Sequence, residues 1–203
     1  MIGIEAIAGY IPQNGIDNRT RMAKFGIDEA FLENKTGMLR VSRRNPNEEK
    51  SDMCCTVANR LVAKTGVDLQ DLDCLVVCTQ NPDAFGLPHT SAIVHGKLGL
   101  PRNCAVFDIS LGCSGYVYGL SIVRAFMESN GFEKGLLITA DPYSKVLDED
   151  DKNTALLFGD GATATLLSAT PKWAIGKFTL GSDGSKNEAI AVSTQTGKFT
   201  MNG

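Results

Sequence analysis

One stretch constrains this chain more than any other: Val106-Phe107-Asp108-Ile109-Ser110-Leu111-Gly112-Cys113-Ser114-Gly115-Tyr116-Val117-Tyr118-Gly119-Leu120. The run from Ala105 to Ile109 is β-branched and aromatic and reads as a buried strand. It breaks at Ser110-Leu111-Gly112, and an apolar segment then runs from Cys113 to about Asn130. Val117, Leu120, Val123 and Met127 recur there at helical spacing, with Gly131 placed to end the helix. Cys113 therefore falls on a sharp strand-to-helix turn. Unpaired backbone N–H groups and the positive end of the helix dipole favour a thiolate at such a place. The flanking glycines let the backbone turn tightly and come close to a substrate. An exposed, negatively biased sulfur beside N–H donors is what a covalent nucleophile requires. Its bland counterpart is a small buried cysteine that only packs.

Around this stretch, strands alternate with helices. Ile2 to Ala8 reads as a first strand ended by Gly9-Tyr10-Ile11-Pro12, followed by short helical segments at 20–25 and 28–34 with Asp28 as an N-cap. The polar span 41–50 reads as a surface loop. A helix is predicted from Ser51 to about Thr65, a buried strand over 73–79, a helix over 90–98 and a strand over 135–140. An acidic loop over 142–153 precedes an apolar segment, 155–168, interrupted by Phe158-Gly159-Asp160-Gly161-Ala162. The glycine-rich tail reads as loop and hairpin. The pattern is that of an α/β layered domain with a mixed sheet flanked by helices.

Cys54, Cys55, Cys74, Cys78 and Cys104 lie in apolar or helical contexts and read as packing residues. With no Cys-x-x-Cys pair, and only His89 and His95 as histidines, neither a zinc site nor a disulfide framework is expected. A formal charge of −3 gives no reason to expect nucleic acid or an anionic membrane as a partner. No segment approaches the ~20 apolar residues that span a bilayer. The N-terminus shows no signal-peptide pattern, so a cytoplasmic protein is expected.

Asp108 to Leu120 closely resembles the active-site segment of the β-ketoacyl-acyl carrier protein synthase III family of the thiolase superfamily. Phe158 to Ala162 resembles that family's second signature. The resemblance implies a thiolase-like layered fold and the family's N-terminal half, with a mixed five-stranded-type sheet. Residues 1–170 would form the half-domain carrying the nucleophile, and 171–203 an extension toward a second half. Cys113 would accept an acyl group from acyl-CoA, or from a carrier-bound acyl group. A decarboxylative Claisen condensation with malonyl-acyl carrier protein would follow, in a homodimer and without a cofactor.

The same resemblance carries over further residues. Phe31 stands where better-known members have a tryptophan, and Lys152 where they have an arginine, the two sandwiching the adenine of coenzyme A. Lys35 replaces an expected arginine near the phosphates. Phenylalanine stacks less strongly than tryptophan, and lysine offers a point charge instead of a stacking guanidinium. The resemblance leaves both fatty-acid biosynthesis, at its initiation, and specialised-metabolite acyl transfer open, and these departures, with the polar span 41–50, tilt the reading slightly toward the second. Leu87 stands where some members have a phenylalanine reaching across the dimer into the partner's acyl pocket. Phe158 would line the active site. The family's catalytic histidine and asparagine come from its second half, and neither His89 nor His95 has their context. Residues 1–203 alone are therefore expected not to condense. The rival reading is a non-catalytic half-protein that pairs with a catalytic partner, and a redox or hydrolytic cysteine protein is a weaker one.

Overall fold

The computed structural model describes residues 1–201; Asn202 and Gly203, the end of the predicted extension, lie outside the described residues. The strands are β1 (Gly3–Tyr10), β2 (Gly15–Asp17), β3 (Arg40–Ser42), β4 (Cys74–Cys78), β5 (Ala105–Ile109), β6 (Lys134–Ala140), β7 (Ala162–Ser168), β8 (Trp173–Ala174), β9 (Ile190–Val192) and β10 (Phe199–Met201). The α-helices are α1 (Met22–Phe25), α2 (Glu29–Phe31), α3 (Lys50–Thr65), α4 (Thr90–Leu98), α5 (Gly115–Asn130) and α6 (Lys152–Ala155). They belong to two compact units that interleave along the sequence. The first comprises Met1–Tyr10, Asn47–Asp141 and Gly161–Leu180; the second comprises Ile11–Pro46, Pro142–Asp160 and the segment from Gly181 onward.

The first unit is built on one sheet in the order β5-β4-β6-β7-β1-β8. β4 pairs parallel with β5 and β6, while β7 and β1 run antiparallel to their neighbours. The five strands expected from the sequence are joined by a sixth, the two-residue β8, which pairs Gly3 with Ala174 and Ile4 with Trp173. Both faces of the sheet are covered, so β4 is apolar throughout. Leu75 and Val77 point into a core with Met53, Val57 and Leu61 of α3 and Val94 of α4. Cys74, Val76 and Cys78 point the other way, into a core with Leu120, Val123 and Met127 of α5. Each such large side chain contributes roughly 1.5–3 kcal/mol on burial.

The helix ends follow the sequence signals. Asp52 and Glu49 close a capping box at the start of α3. The helices α3, α4 and α5 stop at Gly66, Gly99 and Gly131, each in the left-handed conformation.

The second unit holds two small antiparallel pairs, β2 with β3 and β9 with β10. The first pair corrects the reading of 41–50 as a polar surface loop. Ser42, Val41 and Arg40 pair with Gly15, Ile16 and Asp17, and Val41 is buried. Lys50, assigned to the same span, is fully buried at the head of α3 in the first unit. A second correction concerns the first strand, which runs through Gly9 and Tyr10 because both keep pairing with β7. In the tail, the hairpin expected there is β9–β10.

Candidate nucleophile turn and aromatic loop

β5 delivers the chain to the turn at the carboxyl ends of the parallel strands. Ile109 ends the strand, and its carbonyl accepts from the Thr79 N–H at 2.9 Å and from the Leu111 N–H at 3.2 Å. The Gly115 N–H donates to Gly112 O at 2.8 Å, closing a tight turn with Cys113 inside it. α5 begins two residues after Cys113, and Val117 N and Tyr118 N donate to Ser114 O, each at 3.1 Å. Ser114 is the N-cap residue but makes no side-chain cap. The positive end of a 16-residue helix is thus left without a side-chain acceptor from its own cap residue.

Cys113 is exposed, and its side chain makes no hydrogen bond or ion pair among the described residues. The other thiols differ. Cys54, Cys74, Cys78 and Cys104 are buried and Cys55 half-buried. Burial pushes Cys55, Cys78 and Cys104 up to about 11 and Cys74 up to about 12. Cys54 is pushed well above the ordinary thiol value for the same reason. These five stay protonated at neutral pH, which agrees with their reading as packing residues.

Both histidines serve the backbone. The Nδ1 of His89 caps α4 by accepting from Ala92 N at 3.3 Å, and it lies 2.7 Å from Ser91 Oγ. His95 Nε2 lies 3.1 Å from Pro101 O. Asp108 of β5 accepts from Thr90 N at 2.7 Å and Ser91 N at 2.8 Å, tying the first turn of α4 to the strand that feeds Cys113.

Leu87 lies on an exposed tip, 86% accessible. The sequence reading missed its companion: Phe85 is fully exposed. Ala84 and Phe85 take φ values of +46° and +59°, left-handed conformations that cost a non-glycine residue about 1–2 kcal/mol each. Buried Asp83 fixes the base of the tip by accepting from Lys50 N at 3.2 Å and Ser51 N at 3.0 Å. Only tertiary anchoring holds such a conformation, so residue pattern alone does not reveal it.

The remaining predicted residues belong to the second unit. Asp28 caps α2 through a 2.8 Å bond from Phe31 N, which sets the Phe31 ring at the helix end. Lys152, at the start of α6, places its Nζ 5.4 Å from the centroid of that ring. Lys35 follows one turn later and is exposed. The structure thus brings Phe31 and Lys152 together.

Phe158 packs in an aromatic trio, with ring centroids 5.2 Å from Tyr143 and 4.9 Å from Phe199. Beside it, Asp160 is buried. Its carboxylate accepts from Arg44 N at 2.7 Å, Ser144 N at 3.0 Å and Ser144 Oγ at 2.5 Å. This carboxylate organises a loop. Gly159 is held so close to β3 that a β-carbon there would stand 2.8 Å from Ser42 Oγ. Arg43 and Arg21 both pair with Glu149, the former at 3.0 Å.

Among the described residues no group of three or more His, Cys, Asp or Glu side chains could hold a metal ion. No helix among them is long and apolar enough to cross a membrane.

The segment from 107 to 184, which begins in β5 and includes the Cys113 turn, matches the family model for 3-oxoacyl-[acyl-carrier-protein] synthase III. A β-ketoacyl-[acyl-carrier-protein] synthase III of Sulfurovum sp. is 35% identical over 167 residues, which is 82% of this chain and 49% of that protein. The synthase III of Streptococcus pneumoniae is 34% identical over 187 residues, 92% of this chain and 57% of that protein. The chain therefore spans about half the length of these curated relatives. A 2.1 Å crystal structure of a 3-oxoacyl-(acyl-carrier-protein) synthase III superposes with a TM-score of 0.91 at 31% identity, covering 100% of this chain and 67% of that one.

Proposed function

The chain belongs to the 3-oxoacyl-[acyl-carrier-protein] synthase III family, and on that premise we propose that it carries the acyl-accepting half of a condensing acyltransferase, with Cys113 as nucleophile. The observation that carries this reading is positional. Cys113 is the exposed cysteine, on a tight turn two residues before an uncapped helix N-terminus. A thiolate there attacks the carbonyl of an acyl thioester. The tetrahedral oxyanion collapses, the donor's thiolate leaves, and an acyl–Cys113 thioester remains. The Cys113 backbone N–H is the natural donor to that oxyanion from this half of the fold. The acyl group is then passed to a carbanion formed when a malonyl group on acyl carrier protein loses carbon dioxide, and the Cys113 thiolate departs.

The donor is assigned as acyl-CoA, its adenine lying between the Phe31 ring and Lys152, with Lys35 facing the phosphates. Phe158 is assigned to the wall of the acyl site. A second copy of the chain is assigned as partner, contacted through the Phe85–Leu87 tip, because two large apolar side chains there are held out to solvent by a strained, anchored backbone. Sedimentation velocity of Leu87→Ser checks this last point: weaker self-association supports it, and unchanged association removes it.

Intact-mass spectrometry after incubation with acyl-CoA tests the central claim. One acyl adduct, mapped to Cys113 and absent from Cys113→Ala, is the expected result. An adduct on another cysteine, or none, overturns it.

A further inference from the structure

Cys78 is the last residue of β4 and lies beneath the turn that carries Cys113. Its side chain touches that turn at both ends. The Cys78 thiol donates to the Leu111 carbonyl, with 3.3 Å between sulfur and oxygen. At the other end, a β-carbon on Gly115 would collide with the Cys78 sulfur. Cys113 sits between these two contacts, in the middle of a five-residue turn that is otherwise closed by the Gly115-to-Gly112 hydrogen bond. We propose that Cys78 is a positioning residue for the nucleophile: its S–H fixes the Leu111 carbonyl, and its sulfur sets how closely the head of α5 approaches β4. The proposal rests on the reading of Cys113 as the acyl acceptor and deepens it.

The physical requirements of the role are met. A positioning donor must keep its proton at working pH, and burial holds this thiol up to about 11. It must itself be immobile, and Cys78 is 2% exposed within the core formed by β4 and α5. It must act on the backbone that aims the reactive groups. Leu111 and Gly115 bracket Cys113, its thiol and its backbone N–H together. Ångström-scale displacement of such groups costs up to about a hundredfold in rate. Cys78 touches no reacting atom; its effect passes through the turn.

Cys78→Ala, Cys78→Val and Cys78→Ser separate this role from plain packing. Alanine removes both donor and volume; valine restores volume without a donor; serine keeps a donor of similar shape. Two readouts are taken on each variant. One is the rate of acyl transfer from acyl-CoA to Cys113 as a function of donor concentration. The other is the rate of Cys113 alkylation by iodoacetamide, resolved by peptide mass. The alanine and valine variants are expected to lower the maximal acylation rate about tenfold with an unchanged half-saturating concentration. Serine is expected to recover to within about threefold. Alkylation should follow the same order. If alanine fails to fold, valine takes its place.

Wild-type maximal rates in alanine or valine, or a serine variant as slow as alanine, overturn the proposal. Wild-type protein that is never acylated at Cys113 overturns the function reading instead. The alkylation order then still decides the positioning role, because iodoacetamide requires no thioester site.

Discussion

The sulfur of Cys78 fills the space in which a β-carbon on Gly115 would stand, closer than the 3.0 Å inside which real β-carbons essentially never come. Gly115 is the first residue of α5, where alanine would ordinarily favour the helix by about 1 kcal/mol. Here the contact decides the sign. Gly115→Ala is expected to destabilise the chain by about 1–3 kcal/mol through overpacking. In a Cys78→Ala background the sulfur is gone, and the remaining close neighbour is Leu111 Cβ at 3.2 Å. The penalty should then shrink by about 1 kcal/mol or more. Urea unfolding of the four species gives the coupling directly, and strictly additive effects would contradict the contact.

The buried thiols make stability fall at alkaline pH. Cys78 and Cys104 titrate at about 11 and Cys74 at about 12 in the folded chain, each raised by burial from 9.0. Above pH 9 the unfolded chain has lost these protons while the folded chain keeps them. Stability is therefore fully present below pH 9 and is lost as pH rises through the 11–12 range. The urea midpoint should drop between pH 9 and pH 11, and Cys104→Ser should show a shallower drop than wild type. An identical pH slope in both proteins would remove the thiols as its cause.

The Lys152 Nζ lies over the Phe31 ring, 5.4 Å from its centroid, and the ring is the face on which the adenine is proposed to stack. Base–aromatic stacking is worth about 1–3 kcal/mol. Phe31→Ala should raise the half-saturating concentration of acyl-CoA correspondingly, and Phe31→Trp should lower it. Neither change should affect an acyl donor carried on acyl carrier protein, which has no adenine. Equal losses with both donors would show that Phe31 only supports the local fold.

Asp160 offers its carboxylate to Arg44 N, Ser144 N and Ser144 Oγ. Asp160→Asn places an amide NH₂ where one of these oxygens accepts. A buried donor then loses its partner, at a cost of about 1–3 kcal/mol. Thermal unfolding should show a clear drop in midpoint for Asp160→Asn. A midpoint equal to wild type would make the carboxylate's role something other than structural.

The parts of this structure that the sequence disclosed are those set by local rules. Gly66, Gly99 and Gly131 end helices because glycine takes the left-handed conformation at no steric cost, and that reads directly from spacing. The Cys113 turn was legible for the same reason: a β-branched run, a glycine break and a helical period adjoin within a few residues. What escaped depends on distant partners. β3 pairs with β2, some 25 residues earlier in the chain, so the span around Val41 looked like loop. Phe85 stands exposed because Asp83 is bound to the head of α3, a contact about thirty residues distant. Cys78 was read as a packing residue, correctly as to its burial, but its reach to Leu111 and Gly115 exists only once β4 and β5 lie side by side.

The alternation along β4 has a consequence for how such a chain can change. Leu75 and Val77 face α3 and α4, while Cys74, Val76 and Cys78 face α5. The sheet is thus a partition. Substitutions that loosen or tighten the α3 side alter how firmly the protein holds together, and their effects add to those made across the sheet. Substitutions on the α5 side move the turn. Reactivity is therefore inherited on one face of the strand, and drift on the other adjusts stability while leaving the turn free to be selected.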